Sequence, residues 1–165
     1  MKMKYDKVAV GGTFDFLHDG HRAILSKAFE IGKTVQIGIV SDKMNLKKDS
    51  AGIQPLEDRK NILKEFLKEK DWWERTELKV IFDPVGPAAE DEDLEAIVVS
   101  EETRPGAEKI NELREEKNLD SLNIIEIPLV LADDGKPISS IRIRYGEIDG
   151  RGNVLKDEKK ISDYG

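Results

Sequence analysis

The sequence predicts an α/β protein: a doubly wound sheet of five mainly parallel strands with helices on both faces. Three observations predict it. Short apolar segments alternate with amphipathic ones along most of the chain. The first apolar segment, "VAVGG", runs directly into a helical pattern. No internal repeat or low-complexity stretch breaks the alternation. Alternation of this kind builds strand–helix–strand units and hence a parallel sheet, and 165 residues suit one domain with a sizeable core.

The elements follow in order. Tyr5 to Val10 is a strand that ends in Gly11 and Gly12. Asp19 to Ile31 is helical, with Ile24, Leu25, Ala28 and Phe29 on one face, and Gly32 marks its end. "TVQIGIV", Thr34 to Val40, is the second strand. Ser41 to Gln54 is polar and lysine-rich and reads as a loop. Pro55 opens a helix in which Leu56, Ile62, Leu63, Phe66 and Leu67 recur at helical spacing; proline suits a first helical position. Glu77 to Phe82 is the third strand, and Glu95 to Ser100 the fourth, after an acidic Pro/Gly connector. Pro105 to Asn118 is a helix with Ile110 and Leu113 inward. "NIIEIPLV" is the fifth strand, with Pro128 marking an edge or a strand end. Ile138 to Ile148 reads as a short helix with a serine cap, and residues 151–165 as a polar surface tail.

Composition narrows the function classes. Hydrophobic residues make up 38% and charged residues 37% of the chain, a soluble globular balance. No apolar run approaches the length of a membrane span, and the N-terminus lacks the pattern of a secretion signal, so a cytoplasmic setting is expected. There are no cysteines, which removes disulfides, thiolate chemistry and Cys-ligated metals. The net charge of −7 speaks against a general nucleic-acid surface, but a local basic pocket for an anion is compatible with it. Abundant lysine and glutamate beside scarce asparagine and glutamine is a pattern of heat-adapted proteins.

Chemistry concentrates at one junction. His18 and His21 are the only histidines, three residues apart where the first strand hands over to the first helix. Positions three apart share a helical face, and Gly20 between them leaves room beside both rings. Gly11 and Gly12 permit unusual backbone angles and close approach of a ligand, and a helix N-terminus favours anions, phosphate above all. In open α/β sheets, ligands bind outside the C-terminal strand ends. The expected site is therefore a phosphate cradle in which two imidazoles donate to oxygens that gain charge in a transition state. A two-histidine metal site with Asp15 or Asp19 is a weaker alternative, since no further His or Cys exists to complete it. A dinucleotide loop would need G-x-G-x-x-G where the chain has G-G-T-F-D.

These residues carry a resemblance. "GTFDFLHDGH" resembles the first signature of the nucleotidyltransferase superfamily, and "ISSIRIR", Ile138 to Arg144, is similar to its second, I-S-S-T-x-I-R. "SEETRPGAEKINELR" resembles the stretch after the fourth strand in phosphopantetheine adenylyltransferases of the archaeal and eukaryotic type. The resemblance implies a Rossmann-like nucleotidyltransferase domain over residues 1–150, with 151–165 as a tail rather than a second domain. It implies transfer of the adenylyl group of ATP to 4'-phosphopantetheine, giving dephospho-CoA and pyrophosphate, with Mg²⁺ accompanying ATP and no protein-built metal cage. The implied partners are these two small molecules, not nucleic acid or membrane. The motifs leave the oligomeric state open.

Residue by residue, the resemblance assigns Thr13 and Phe14 to the turn on the reacting phosphates. It assigns His18 and His21 to transition-state stabilisation, His21 foremost, and Ser139, Ser140 and Arg144 to the triphosphate. It assigns Lys47 or Lys48 to phosphate on the acceptor side and to catalysis. Arg104 falls to ligand contact, with Glu102 and Thr103 beside the base. The family's threonine is Ile141 here, so a hydroxyl is missing from that motif. Other members of the superfamily, acting on FMN, NMN or glycerol phosphate, are the alternative enzymes. A non-catalytic nucleotide-binding module is the alternative of another class.

Overall fold

A computed structural model describes residues 3–42, 53–83 and 85–155. Five parallel strands form one sheet in the order β3-β2-β1-β4-β5. They are β1 (Tyr5–Gly12), β2 (Gly32–Val40), β3 (Thr76–Ile81), β4 (Ala96–Val99) and β5 (Asn123–Glu126). The helices are α1 (Asp19–Ile31), α2 (Leu56–Glu69), α3 (Arg104–Glu116) and α4 (Ser140–Arg144). The sheet expected from the sequence is present, fully parallel.

Alternation along β1 divides the core. Val8 and Val10 face one side, where Leu25, Ala28 and Phe29 of α1 and Leu63, Phe66 and Leu67 of α2 pack on them. Ala9 faces the other side with Ile97 and Val99 of β4 and Ala107 and Ile110 of α3. Helices therefore cover both faces, as doubly wound connections require. A third, smaller cluster of Ala132, Ile138 and Ile148 organises the segment after the sheet.

Several boundaries differ from the sequence expectation. Pro55 is the cap before α2 rather than its first residue, and Asp42 accepts the Leu56 N–H at 3.0 Å in place of a capping side chain from Pro55. Strand β5 ends at Glu126, short of Val130, because Pro128 has no N–H for the ladder. Helix α4 is only five residues long. The packing also runs past residue 150: Ile148 pairs with Val154, the Leu155 N–H donates to the Glu147 carbonyl at 3.0 Å, and Gly152 is buried. Residues 151–155 are thus tied to the preceding segment by backbone hydrogen bonds, while Val154 and Leu155 stay exposed.

The order of strands reverses between β1 and β4, the switch point where open α/β sheets bind ligands. Pairing there stops early. The β1–β4 register ends at Ala9 with Ile97, whereas β1 stays paired with β2 as far as Gly12 with Ile39. The two central strands thus part at their C-terminal ends and open a crevice.

Candidate active site

The crevice holds a cleft of about 230 Å³. Gly11, Gly12, Thr13, Phe14, His18 and His21 line it from the first strand–helix junction. Ser100, Glu102 and Thr103 line it from the end of β4, and Ile138, Ser139 and Ser140 from the start of α4. All three stretches singled out in the sequence meet here.

The paired histidines are fixed by the backbone. His18 is the N-cap of α1, and its Nδ1 accepts the Gly20 N–H at 3.0 Å. His21 Nδ1 accepts the His18 N–H at 3.1 Å, which completes a reciprocal capping box built from two imidazoles. The rings stack with centroids 3.7 Å apart and a 21° interplanar angle. Burial lowers the His18 pKa to about 4, helped by the Arg22 guanidinium and opposed by Asp19. Burial, then His18 and Arg22, take His21 to about 3. Both rings are therefore neutral at pH 7. With each Nδ1 acting as acceptor, each proton sits on Nε2, so the pair offers two neutral N–H donors. Gly20 makes this possible: a Cβ there would lie 2.8 Å from His18 Cε1.

The glycines at the end of β1 do something other than expected. Neither Gly11 nor Gly12 has a positive φ, and both extend the strand. Lining the cleft without side chains, they leave its floor open. The left-handed backbone falls instead on Phe14 (φ 53°) and Phe16 (φ 47°). Each costs on the order of 1–2 kcal/mol for a residue with a Cβ, so other contacts must hold the turn.

Those contacts come from three segments. Arg59 Nη1 donates to the Thr13 carbonyl at 2.9 Å. The Gln54 N–H donates to Asp15 Oδ1, and the Phe16 N–H to Gln54 Oε1, both at 2.9 Å. The Ser140 hydroxyl donates to the Asp15 carbonyl, and Arg144 Nε lies 3.5 Å from Asp15 Oδ2. In the sequence Asp15 stands out only as an alternative metal partner, and Gln54 and Arg59 are not singled out. Aspartate inside the G-T-F-D segment was a signal for the first; nothing in the sequence marks the other two.

The remaining assignments divide. Ser139 caps α4, its oxygen accepting the Arg142 N–H at 3.3 Å, which leaves its own proton available to a ligand. Ser140 lines the cleft, but its proton is committed to Asp15. Arg144 reaches the site through Asp15 and is not among the lining residues. Arg104 is not among them either: it stands at the rim in ion pairs with Glu126 at 3.2 Å and Glu108 at 3.5 Å. Its neighbours Glu102 and Thr103 do line the cleft. Ile141 is 41% exposed and is not among the residues that line the cleft. Lys47 and Lys48 lie outside the described residues.

Comparison with known proteins shows the family. A family profile described as cytidylyltransferase-like matches residues 9–146. The phosphopantetheine adenylyltransferase of Methanothermobacter thermautotrophicus is 49% identical over 156 residues, covering 94% of this chain and 93% of that one. The chain belongs to the phosphopantetheine adenylyltransferase family. A second family member, from Pyrococcus furiosus, is 47% identical over 161 residues, or 97% of this chain and all of its own length. Among solved structures, an Archaeoglobus fulgidus protein described as of unknown function superposes with a TM-score of 0.66 at 34% identity, over 73% of this chain and 88% of its own. A pantoate–β-alanine enzyme from Thermus thermophilus shares the fold at a TM-score of 0.56 and 14% identity, over 96% of this chain and 65% of its own. No helix among the described residues is long and apolar enough to cross a membrane.

Proposed function

We propose that this member of the phosphopantetheine adenylyltransferase family transfers the adenylyl group of ATP to 4'-phosphopantetheine. A phosphate oxygen of the acceptor attacks the α-phosphorus, the bond to the β-bridging oxygen breaks, and pyrophosphate leaves. The observation that carries this reading is similarity along nearly the whole length of relatives bearing that activity in their names. The acceptor monoester is largely ionised near pH 7, since its second pKa is about 6, so no protein base has to activate it. Catalysis is then positioning and charge stabilisation.

In this reading the His18 and His21 Nε2–H groups donate to the α-phosphate as charge builds there, and the Thr13–Phe14 turn faces the same group. As neutral donors they bind the anion without drawing a counter-charge into the cleft. Ser139 donates its free hydroxyl proton to the triphosphate, while Ser140 and Arg144 act through Asp15. Glu102 and Thr103 border the base, with Arg104 at the rim; Lys47 or Lys48 serves the acceptor phosphate. Magnesium enters as part of the Mg·ATP substrate, held chiefly through phosphate oxygens and water.

The test is pyrophosphate release with ATP or CTP against four acceptors: 4'-phosphopantetheine, FMN, NMN and glycerol phosphate. Turnover is expected with ATP and 4'-phosphopantetheine. Turnover confined to another acceptor, or ATP binding with no turnover at all, would reject the reading.

A further inference from the structure

Phe14 and Phe16 are held left-handed on either side of buried Asp15. Most of what holds them comes from outside the two signature motifs. Gln54 bonds to the residue between the strained positions and to one of those positions itself, giving its N–H to Asp15 and taking the Phe16 N–H on its side-chain oxygen. Arg59, 1% exposed, fixes the start of the turn through the Thr13 carbonyl and fixes Gln54 itself through the Gln54 carbonyl at 2.8 Å. The same guanidinium reaches the Val40 carbonyl at 2.7 Å and Asp42 at 3.0 Å, which ties it to the end of β2. One planar fork thus gathers the ends of β1 and β2 and the entry to α2, a geometry that lysine cannot reproduce.

We propose that Gln54 and Arg59 are positioning residues for the adenylyl transfer. They act through the Thr13–Phe16 turn and set where that turn and the two imidazoles stand relative to the reacting phosphate. The inference rests on the functional reading above. His21 is within its reach because the Phe14 ring lies 5.3 Å from the His21 ring, and His18 because it follows Phe16 by two residues. Neither Gln54 nor Arg59 lines the cleft, so their effect falls on geometry rather than on ligand contact.

Gln54 gives the cleaner test, since it is only partly buried and its loss leaves the core intact. Gln54→Leu removes the acceptor for the Phe16 N–H, whereas Gln54→Glu keeps one. A displacement of about 1 Å at a reacting group can cost roughly 100-fold in rate. Gln54→Leu is expected to lower kcat roughly 10- to 100-fold, with KM for ATP changed less than about threefold. The same variant should speed hydrogen exchange at the Phe16 amide while the melting temperature stays close to that of the parent. Gln54→Glu should restore most of kcat and the Phe16 protection. Arg59→Lys should show the same kcat loss in whatever fraction folds. A Gln54→Leu enzyme with kcat within twofold of the parent, or equal loss in the Leu and Glu variants, overturns the proposal; so does unchanged protection at Phe16. If the parent releases no pyrophosphate with 4'-phosphopantetheine, the functional reading falls instead, and exchange at Phe16 still decides whether the clasp exists.

Discussion

Arg59 and Arg114 are the two largest fully buried side chains among the described residues, and they stand at opposite ends of the sheet. They solve one problem in the same way. Arg59 donates to the carbonyls of Thr13, Val40 and Gln54 at the C-terminal strand ends. Arg114 donates to those of Ala88, Asp91 and Asp120 at the N-terminal ends, at 2.7 to 2.8 Å. What differs is the surroundings. Arg59 holds a strained turn above the switch-point crevice. Arg114 borders a cleft of about 800 Å³ whose walls include Asp6, Glu77, Glu92, Asp93 and Glu95. That cleft is larger than the one at the crevice, yet it contains no histidine and is rich in carboxylates, a poor setting for a triphosphate. A buried cation is thus a way of stitching loops, and becomes functional only where the stitched loop faces the ligand.

The largest effect should come from the crevice. His21→Ala is expected to lower kcat about 100- to 1,000-fold with ATP affinity much less affected, as for loss of one transition-state donor. Steady-state kinetics beside ATP titration checks it, and near-normal kcat would remove His21 from the mechanism. Next is Arg114→Met, which leaves three carbonyls without their donor, that of Ala88 buried. It should cost roughly 2–4 kcal/mol of unfolding free energy, read by urea denaturation, with kcat per folded molecule unchanged. A fall in kcat at full folding would erase the contrast between the two ends. Gly20→Ala should act more mildly, about 10-fold on kcat, because the added methyl pushes His18 off its 2.8 Å approach without removing a donor.

The last contrast is in acid stability. The folded-state pKa values of His18 and His21, about 4 and 3, lie below the unfolded value near 6.5. Between these limits the unfolded chain binds more protons than the folded one, so stability is full above about pH 6.5 and declines as pH falls toward 3. At the opposite end burial works against the Asp91 carboxylate, but the bond from Lys7 Nζ at 2.6 Å outweighs it and holds the pKa below the usual value. Its contribution is present above about pH 4 and is lost at lower pH. Melting temperature against pH should therefore fall in two ranges, and His21→Asn should flatten the upper one only.

Much of this was legible in the sequence because it is local. Apolar periodicity gave five strands in order, Ser139 was readable as a cap, and the histidine spacing placed both rings on one face. The turn chemistry was not. Gly11 and Gly12 are the residues whose type suggests unusual backbone angles, but the left-handed residues are Phe14 and Phe16, in a turn held by partners 38 to 46 positions away. Arg59 sits in "PLEDRKNIL" among charged neighbours, and only tertiary structure turns it inward. Arg104 is the opposite case: Glu108, one helical turn on, is visible in the sequence and shares its charge.

The N–H of Asp19, the first residue of α1, donates to the carbonyl of Gly150 at 2.8 Å. The helix that carries His21 is therefore closed off by a residue made 131 positions later. A chain emerging from the ribosome has every strand of the sheet once Glu126 is out, but Ser139, Ser140, Arg144 and Gly150 are still to come. All strands of the sheet are thus made before the segment that completes the candidate crevice, and a chain stopped short of residue 138 would lack the serines and the Gly150 carbonyl that close its mouth.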